Sequence, residues 1–314
     1  GQFLHRSPAV ETTFTAQSLP VKIFSNQIAK KLKDIDPAGG IISVQSTTEF
    51  DEEATRQSSQ IEISGLKPKS SGTPTALALS MLTSPEGIIS IELGTKDNEE
   101  TKLITEALST IGTSIIKASI NPVLLTGEEY KDLVQNQYVP FSAGSSQLTT
   151  ESIERLNRFG EFLESHPYVK LLITGFADGL EDYAALLENL EELEIKQTDQ
   201  TNRLLREKWE KAKEAEARLI EQQLAAQNSE IKETDIPINK IPDFVPTVPK
   251  QVEVTDTMLQ VLALEREKNV IAFLVDTLNA DPSRIQQTDP ETNRIKKDAD
   301  YARADINLSD HFSD

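Results

Sequence analysis

The sequence predicts an α+β protein: a β-rich first part with small helices, then a strand–helix–strand–helix–strand unit interrupted by a long insert. Three observations carry this. Apolar residues alternate through the first third, as in half-buried strands. From about Glu181 to Gln227 the text turns helical and dense in Glu, Lys and Arg. Pro237, Pro242, Pro246 and Pro249 then crowd one stretch, which reads as an extended connector.

Taken in order, "AVETTFTAQ" and "GGIISVQSTTEF" read as strands, the second with Ile42 and Val44 on one face. "SSQIEISGL" places Ile61 and Ile63 together. Among them "LPVKIFSNQIAKKL" reads as a short helix, with Pro20 in its first turn and Ile23, Phe24, Ile28 and Leu32 as its stripe. "GTPTALALSML" follows as a short helix and "GIISIEL" as a strand. A longer helix over about 99–118 has Leu103, Ile104, Leu108, Ile111 and Ile115 at helical spacing. Residues 1–121 thus form a β-rich domain, 122–136 a linker and 137–314 a second domain.

In the second domain "QYVPF" is a strand. "LTTESIERLNRFGEFLESHP" is an amphipathic helix with Ile153, Leu156, Phe159 and Leu163 inward, Glu151 and Glu154 near its N-terminal dipole and Pro167 after its close. "YVKLLITG" is the next strand, and "TGFAD" ends it on glycine and the acid Asp178. The charged helix carries the only tryptophan, Trp209, and reads as a solvated element or a coiled coil that meets partners. The insert spans approximately 186–256. After it "VTDTMLQVLALEREKNVIAFLVDTL" is a helix that Thr255 can cap, with Leu259, Leu262, Val270 and Phe273 inward. "YARADINL" closes the chain as a strand.

Composition excludes several functions. With 51 acids against 32 bases the formal net charge is −19, so bulk attraction to nucleic acid or an anionic lipid surface is absent. Any anion site must be local. The sequence has no cysteine, which removes disulfides, thiolate nucleophiles and thiolate metal sites. No apolar run reaches the roughly 18 residues a membrane span needs. The opening "GQFLHRSPAV" lacks methionine and enters strand-like text at once, as a piece of a longer chain would.

Enzyme signals are poor. His5, His166 and His311 have no metal-ligand spacing, and His166 before Pro167 reads as a helix-end cation. No P-loop, G-x-S-x-G or H-E-x-x-H motif occurs, and "DGLED" is one acidic pair among many. No catalytic residue, metal or cofactor is assigned.

With the insert set aside, "YVPFSAGSSQLTTESIERLNRFGEFLESHPYVKLLITGFAD" resembles the first half of an OmpA-like domain, and "LALEREKNVIAFL" its second helix. The family's peptidoglycan-binding glycine, aspartate and arginine fall on Gly175, Asp178 and Arg266. An aspartate and an arginine held together can clamp a zwitterion such as diaminopimelate in a peptidoglycan stem; equally, they can pair with each other. The sequence departs from the family pattern at the insert, at Gly179 directly after Asp178, at Glu267 and at Tyr301-Ala302-Arg303. The first domain, above all "TALALSMLTSPEGIISIELG" and "IKASINPVLL", resembles the C-terminal end of AsmA-like proteins, in a subgroup of unknown function that closes with a degenerate OmpA-like module.

The joint resemblance covers about Leu19 to Leu308. It implies a large periplasmic protein of a Gram-negative cell envelope, anchored to the inner membrane by a segment upstream of this fragment. Its β-rich body would form a groove for lipid acyl chains that bridges the membranes in lipid transport and outer membrane biogenesis. This piece would be the distal end of that bridge, and implied partners are envelope proteins, lipids or peptidoglycan. A peptidoglycan-binding module and a scaffold subunit of a larger envelope machine are the alternatives. The alternating strands suit either a groove wall or a closed core.

Overall fold

The protein, known from a computed structural model, is described at residues 10–24, 34–50, 55–95, 100–120, 125, 130–226, 241–289, 292–296 and 302–311. Among the described residues it mixes helix (48%) and strand (26%), and its two four-stranded, mainly antiparallel sheets have helices against them, which makes it α+β.

The chain opens with β1 (Val10–Pro20), β2 (Ile35–Asp36), β3 (Ile41–Phe50), β4 (Thr55–Ser64), β5 (Lys67–Pro68), α1 (Pro74–Leu82), β6 (Ile88–Thr95) and α2 (Glu100–Ile120). The first sheet has the order β1-β3-β4-β6, antiparallel throughout. The two-residue alternation puts Ile42 and Val44 opposite Ile63 and Ile61, and Ile89 beside them. Leu79 of α1 and Leu108, Ile111 and Ile115 of α2 close over these residues, all buried. The aliphatic face is therefore a closed core rather than a groove wall. Further along the same face the residues become polar: Ser46, Thr48, Gln57 and Ser59 are buried, and both Gln57 and Ser59 donate to the Ser46 hydroxyl at 2.9 Å.

The helix expected from Pro20 is not seen in the described part. Leu19 and Pro20 remain in β1 beyond a register shift at which Ser18 has φ 59°, and a single 3-10 turn, Val21–Phe24, follows. The Val21 N–H donates to Gly40 O at 2.8 Å, which draws Val21 into the core and leaves Ile23 exposed. Ile28 and Leu32, and the side chains of Leu103 and Ile104, lie outside the described residues.

The second part comprises α3 (Lys131–Gln135), β7 (Tyr138–Pro140), α4 (Thr150–Ser165), β8 (Val169–Gly175), β9 (Ala177–Asp178), α5 (Glu181–Ala226), α6 (Asp256–Ala272), β10 (Ile285–Gln287), β11 (Ile295–Lys296) and β12 (Arg303–Asp310). The three strands anticipated near 137–141, 169–175 and 301–308 share one sheet, ordered β10-β8-β12-β7. The last begins at Arg303, and the parallel edge strand β10 was not anticipated. Val169, Leu171 and Ile173 of β8 and Ala304 and Ile306 of β12 face α4 and α6 on one side.

Two inward residues shift. In α4 Ile153 is exposed and Phe162 is buried, because Ser152 takes the inner place at the helix start and donates its hydroxyl to Pro140 O. After α6 a π-helical turn, Phe273–Thr277, rotates the chain so that Leu274 is fully buried in place of Phe273.

The segment expected as linker is partly core: α3 buries Leu133 and Val134 in the second cluster. α1 belongs to both parts. Ala78 and Leu79 pack in the first core while Leu77 and Met81 pack in the second, and Gly72 N–H donates to Asp310 Oδ1 at 2.6 Å. The two sheets are welded through one short helix.

Candidate functional site

The strand end after Gly175 is where the sequence placed its site, and the local structure there follows from backbone needs. Asp178 is fully buried; its Oδ1 accepts the N–H groups of Leu180 and Glu181 at 2.7 and 2.8 Å, capping α5. Gly175 allows a close crossing: a Cβ there would lie 1.9 Å from Ala263 O, so only glycine lets α6 cross β8 at this distance.

Arg266 is fully buried on α6, and its carboxylate partner is Asp182, one helical turn past Asp178. Nη1 and Nη2 each donate to an Asp182 oxygen at 2.7 Å. Nε donates to Ser145 O at 2.9 Å, Nη1 also to Phe176 O at 2.8 Å and Nη2 also to Ser142 O at 3.1 Å. All five donors of the guanidinium are thereby engaged, and its plane sits 5.3 Å from the Phe141 ring centre. Asp182 also accepts the N–H groups of Gly144 and Asp178, at 2.7 and 2.6 Å. Asp178, Asp182 and Arg266 thus form one closed network, in which no guanidinium donor is left to take a ligand carboxylate. The cover over the network is Phe141 and the loop through Ser142 and Ser145.

A second buried pair lies one residue along. Glu267 Oε2 accepts the Gly175 N–H at 3.1 Å and takes a short charge-assisted bond from Arg294, which also reaches Gly175 O at 3.4 Å. Glu267 is therefore matched by a partner that stands 27 residues further along the chain. Asp182 is missed by the sequence reading, which treats "DGLED" as one acidic pair among many; its place in the first turn of the helix that Asp178 caps was the available signal. Arg294 had no signal in the sequence, since only β11 pairing with β9 brings it near.

Beside this network a hollow of about 430 Å³ opens between the loop Gly144–Gln147 and α6, floored by Leu186, Met258, Val261 and Leu262, with Ser146 donating to Glu265 at 3.2 Å on its rim.

The long helix α5 runs 46 residues, about 69 Å. Leu186, Leu187 and Leu190 anchor its base against Leu259 and Leu262. Further out, the returning proline-rich chain is strapped along it. Asn202 exchanges hydrogen bonds with Thr247, and Lys250 N–H donates to Glu194. The Trp209 indole donates to Pro242 O at 2.7 Å and packs near Phe244. Trp209 is thus engaged within the chain.

His166, expected as a helix-end cation, is the C-cap residue of α4. It stacks on Phe162 at 4.3 Å between centroids. Burial pushes its pKa down from the ordinary 6.5, with the nearby Arg284 charge adding to this against the contact of Nδ1 with Phe162 O. Arg284 itself donates to the carbonyls of Leu163, His166 and Val169 around the end of α4.

Among the described residues no group of three His, Asp or Glu suits a metal ion, and no helix is long and apolar enough to cross a membrane. Comparison with protein families, curated proteins and solved structures finds no match to the chain.

Proposed function

We propose that this chain is a non-enzymatic end piece of a periplasmic AsmA-like envelope protein, anchored to the inner membrane upstream. In this reading its OmpA-like module is kept for shape rather than for a ligand. The observation that carries the reading is the closed network at Arg266. A clamp for a zwitterion needs free donors and a free carboxylate, and here every guanidinium donor and both Asp182 oxygens are bonded within the chain. The covered aliphatic face of the first sheet supports a role in terminating and docking the bridge rather than in carrying lipid.

The test is retention on purified peptidoglycan. Wild type should elute with a non-binding control, and Asp178→Ala and Arg266→Ala should behave no differently. Retention of wild type that both substitutions abolish, with folding intact, would establish the peptidoglycan-binding alternative through Gly175, Asp178 and Arg266.

A further inference from the structure

The proline-rich chain that returns along α5 is held to it at every third residue. Ile241 N–H donates to Glu216 at 3.2 Å, and Phe244 lies against Trp209 with ring centres 6.3 Å apart. Thr247 exchanges bonds with Asn202 at 2.8 and 2.9 Å, and Lys250 N–H donates to Glu194 at 3.0 Å. A period of three belongs to the polyproline II helix, which turns once in three residues. The lengths agree. From Glu194 to Glu216 α5 rises about 33 Å, and the strap from Ile241 to Lys250 spans about 28 Å in polyproline II, a gap that the glutamate side chains close. The same residues coiled as an α-helix would reach only about 14 Å. Sequence imposes the extended form: Pro242, Pro246 and Pro249 fix their own φ, and Ile241, Val245 and Val248 each precede a proline.

With one row of residues turned to α5, the other two rows face away. They carry Val245 and Pro246 on one turn and Val248 and Pro249 on the next, about 9 Å along. Val245 and Val248 are each 80% exposed, and no large apolar side chain among the described residues is more so. Both prolines are exposed as well. A chain that had only to connect α5 to α6 could lie loose in water. This one is fixed, with its two valine–proline pairs outward. Lys250 directly follows the second pair and is exposed, so a surface complementary to the ridge has an acid at that end.

We infer that residues 245–250 are a preformed polyproline II ligand for a partner protein whose groove is lined by aromatic side chains and ends in a carboxylate. Such grooves seat apolar–proline pairs between planar rings, and a ligand already in shape loses little entropy on binding. α5 supplies that shape and carries the ridge away from the core. The ridge lies apart from the network at Arg266, so it does not depend on how that network is read.

A purified SH3 domain, whose groove has this chemistry, serves as the probe. The whole chain should displace a fluorescent proline-rich peptide from it in the micromolar range. A free peptide of residues 241–251 should need about tenfold more, since α5 no longer holds it. Val245→Asp combined with Val248→Asp should weaken displacement about a hundredfold. Both valines are exposed, so helix content and melting should stay as in wild type. Asn202→Ala, which releases Thr247, should bring the chain toward the free peptide. Lys250→Gln should weaken displacement about threefold, a difference that added salt removes. Leu204→Asp, about 200° around α5 from Asn202, should change nothing. Wild type that displaces no peptide up to about 100 μM would overturn the inference. So would a double aspartate variant that competes as well as wild type, or a free peptide that competes as well as the whole chain.

Discussion

The base of α5 and its outer length use the same side chains to opposite effect. At the base, Arg266 and Asp182 are fully buried, and the whole guanidinium is bonded. Along the outer helix Lys196 and Glu192, Arg203 and Glu207, and Arg218 and Glu214 also pair, each more than half exposed. Pairs of the second kind contribute about 0.3–0.5 kcal/mol each, screened by salt and opposed by side-chain entropy. A buried pair is different. Its net gain over an apolar replacement can be small, yet breaking it strands a charge out of water. One network holds four segments together; the other solvates a projecting arm.

The largest break should come from Arg266→Ala, which leaves Asp182 buried and the Ser142, Ser145 and Phe176 carbonyls without their donor. The expected loss is about 3–5 kcal/mol, measured as the urea midpoint of the second core. Arg266→Lys should recover little, since an ammonium cannot span the same five acceptors.

An intermediate effect should appear with pH, and it sharpens the link between burial and charge. His166 is half-buried, and that burial pushes its pKa below the ordinary 6.5. The unfolded chain therefore binds the proton more readily. The stability this contributes is complete above about 6.5 and is lost as pH falls through the depressed folded value. Wild type minus His166→Phe, followed as melting temperature from neutral to acid, should show that loss, because phenylalanine keeps the stack on Phe162 without the titration. A flat difference would mean the ring is not desolvated as its packing indicates.

The smallest effect should come from the largest deletion. Removing Gln197–Pro249 with a short Gly-Ser join takes away the outer arm and most of its strap, which bond mainly to each other. Unfolding of the remaining core should stay cooperative with a midpoint close to wild type. Loss of cooperativity would make the arm part of the core and erase the contrast.

Local pattern alone located most elements. Two-residue alternation marked β3, β4 and β6, and 3.6-residue periodicity marked α2, α4 and α6. The run of Glu, Lys and Arg marked α5, which is helical from Glu181 through Ala226. These succeeded because each depends on a chain segment meeting one apolar and one aqueous side. Local pattern did not bring Gly175, Asp178 and Arg266 together; the resemblance to an OmpA-like domain did, and the structure shows them as neighbours at one strand end.

What failed needed a neighbour from elsewhere in the chain. Ile23 and Ile153 fit an apolar stripe, but Val21 and Ser152 hold the inner places because Gly40 O and Pro140 O accept their hydrogen bonds. Part of the expected linker is core, because Leu133 and Val134 of α3 pack into the second cluster. Asp178 was expected to hold Arg266 or a ligand with it. It caps α5 instead, and the helix it starts delivers Asp182 to the arginine. The sequence by itself marked a glycine and a bare acid, Gly175 and Asp178, at that strand end. Only the tertiary structure decided which acid met the guanidinium, because a bidentate pair depends on angles that a helical turn sets and residue order does not.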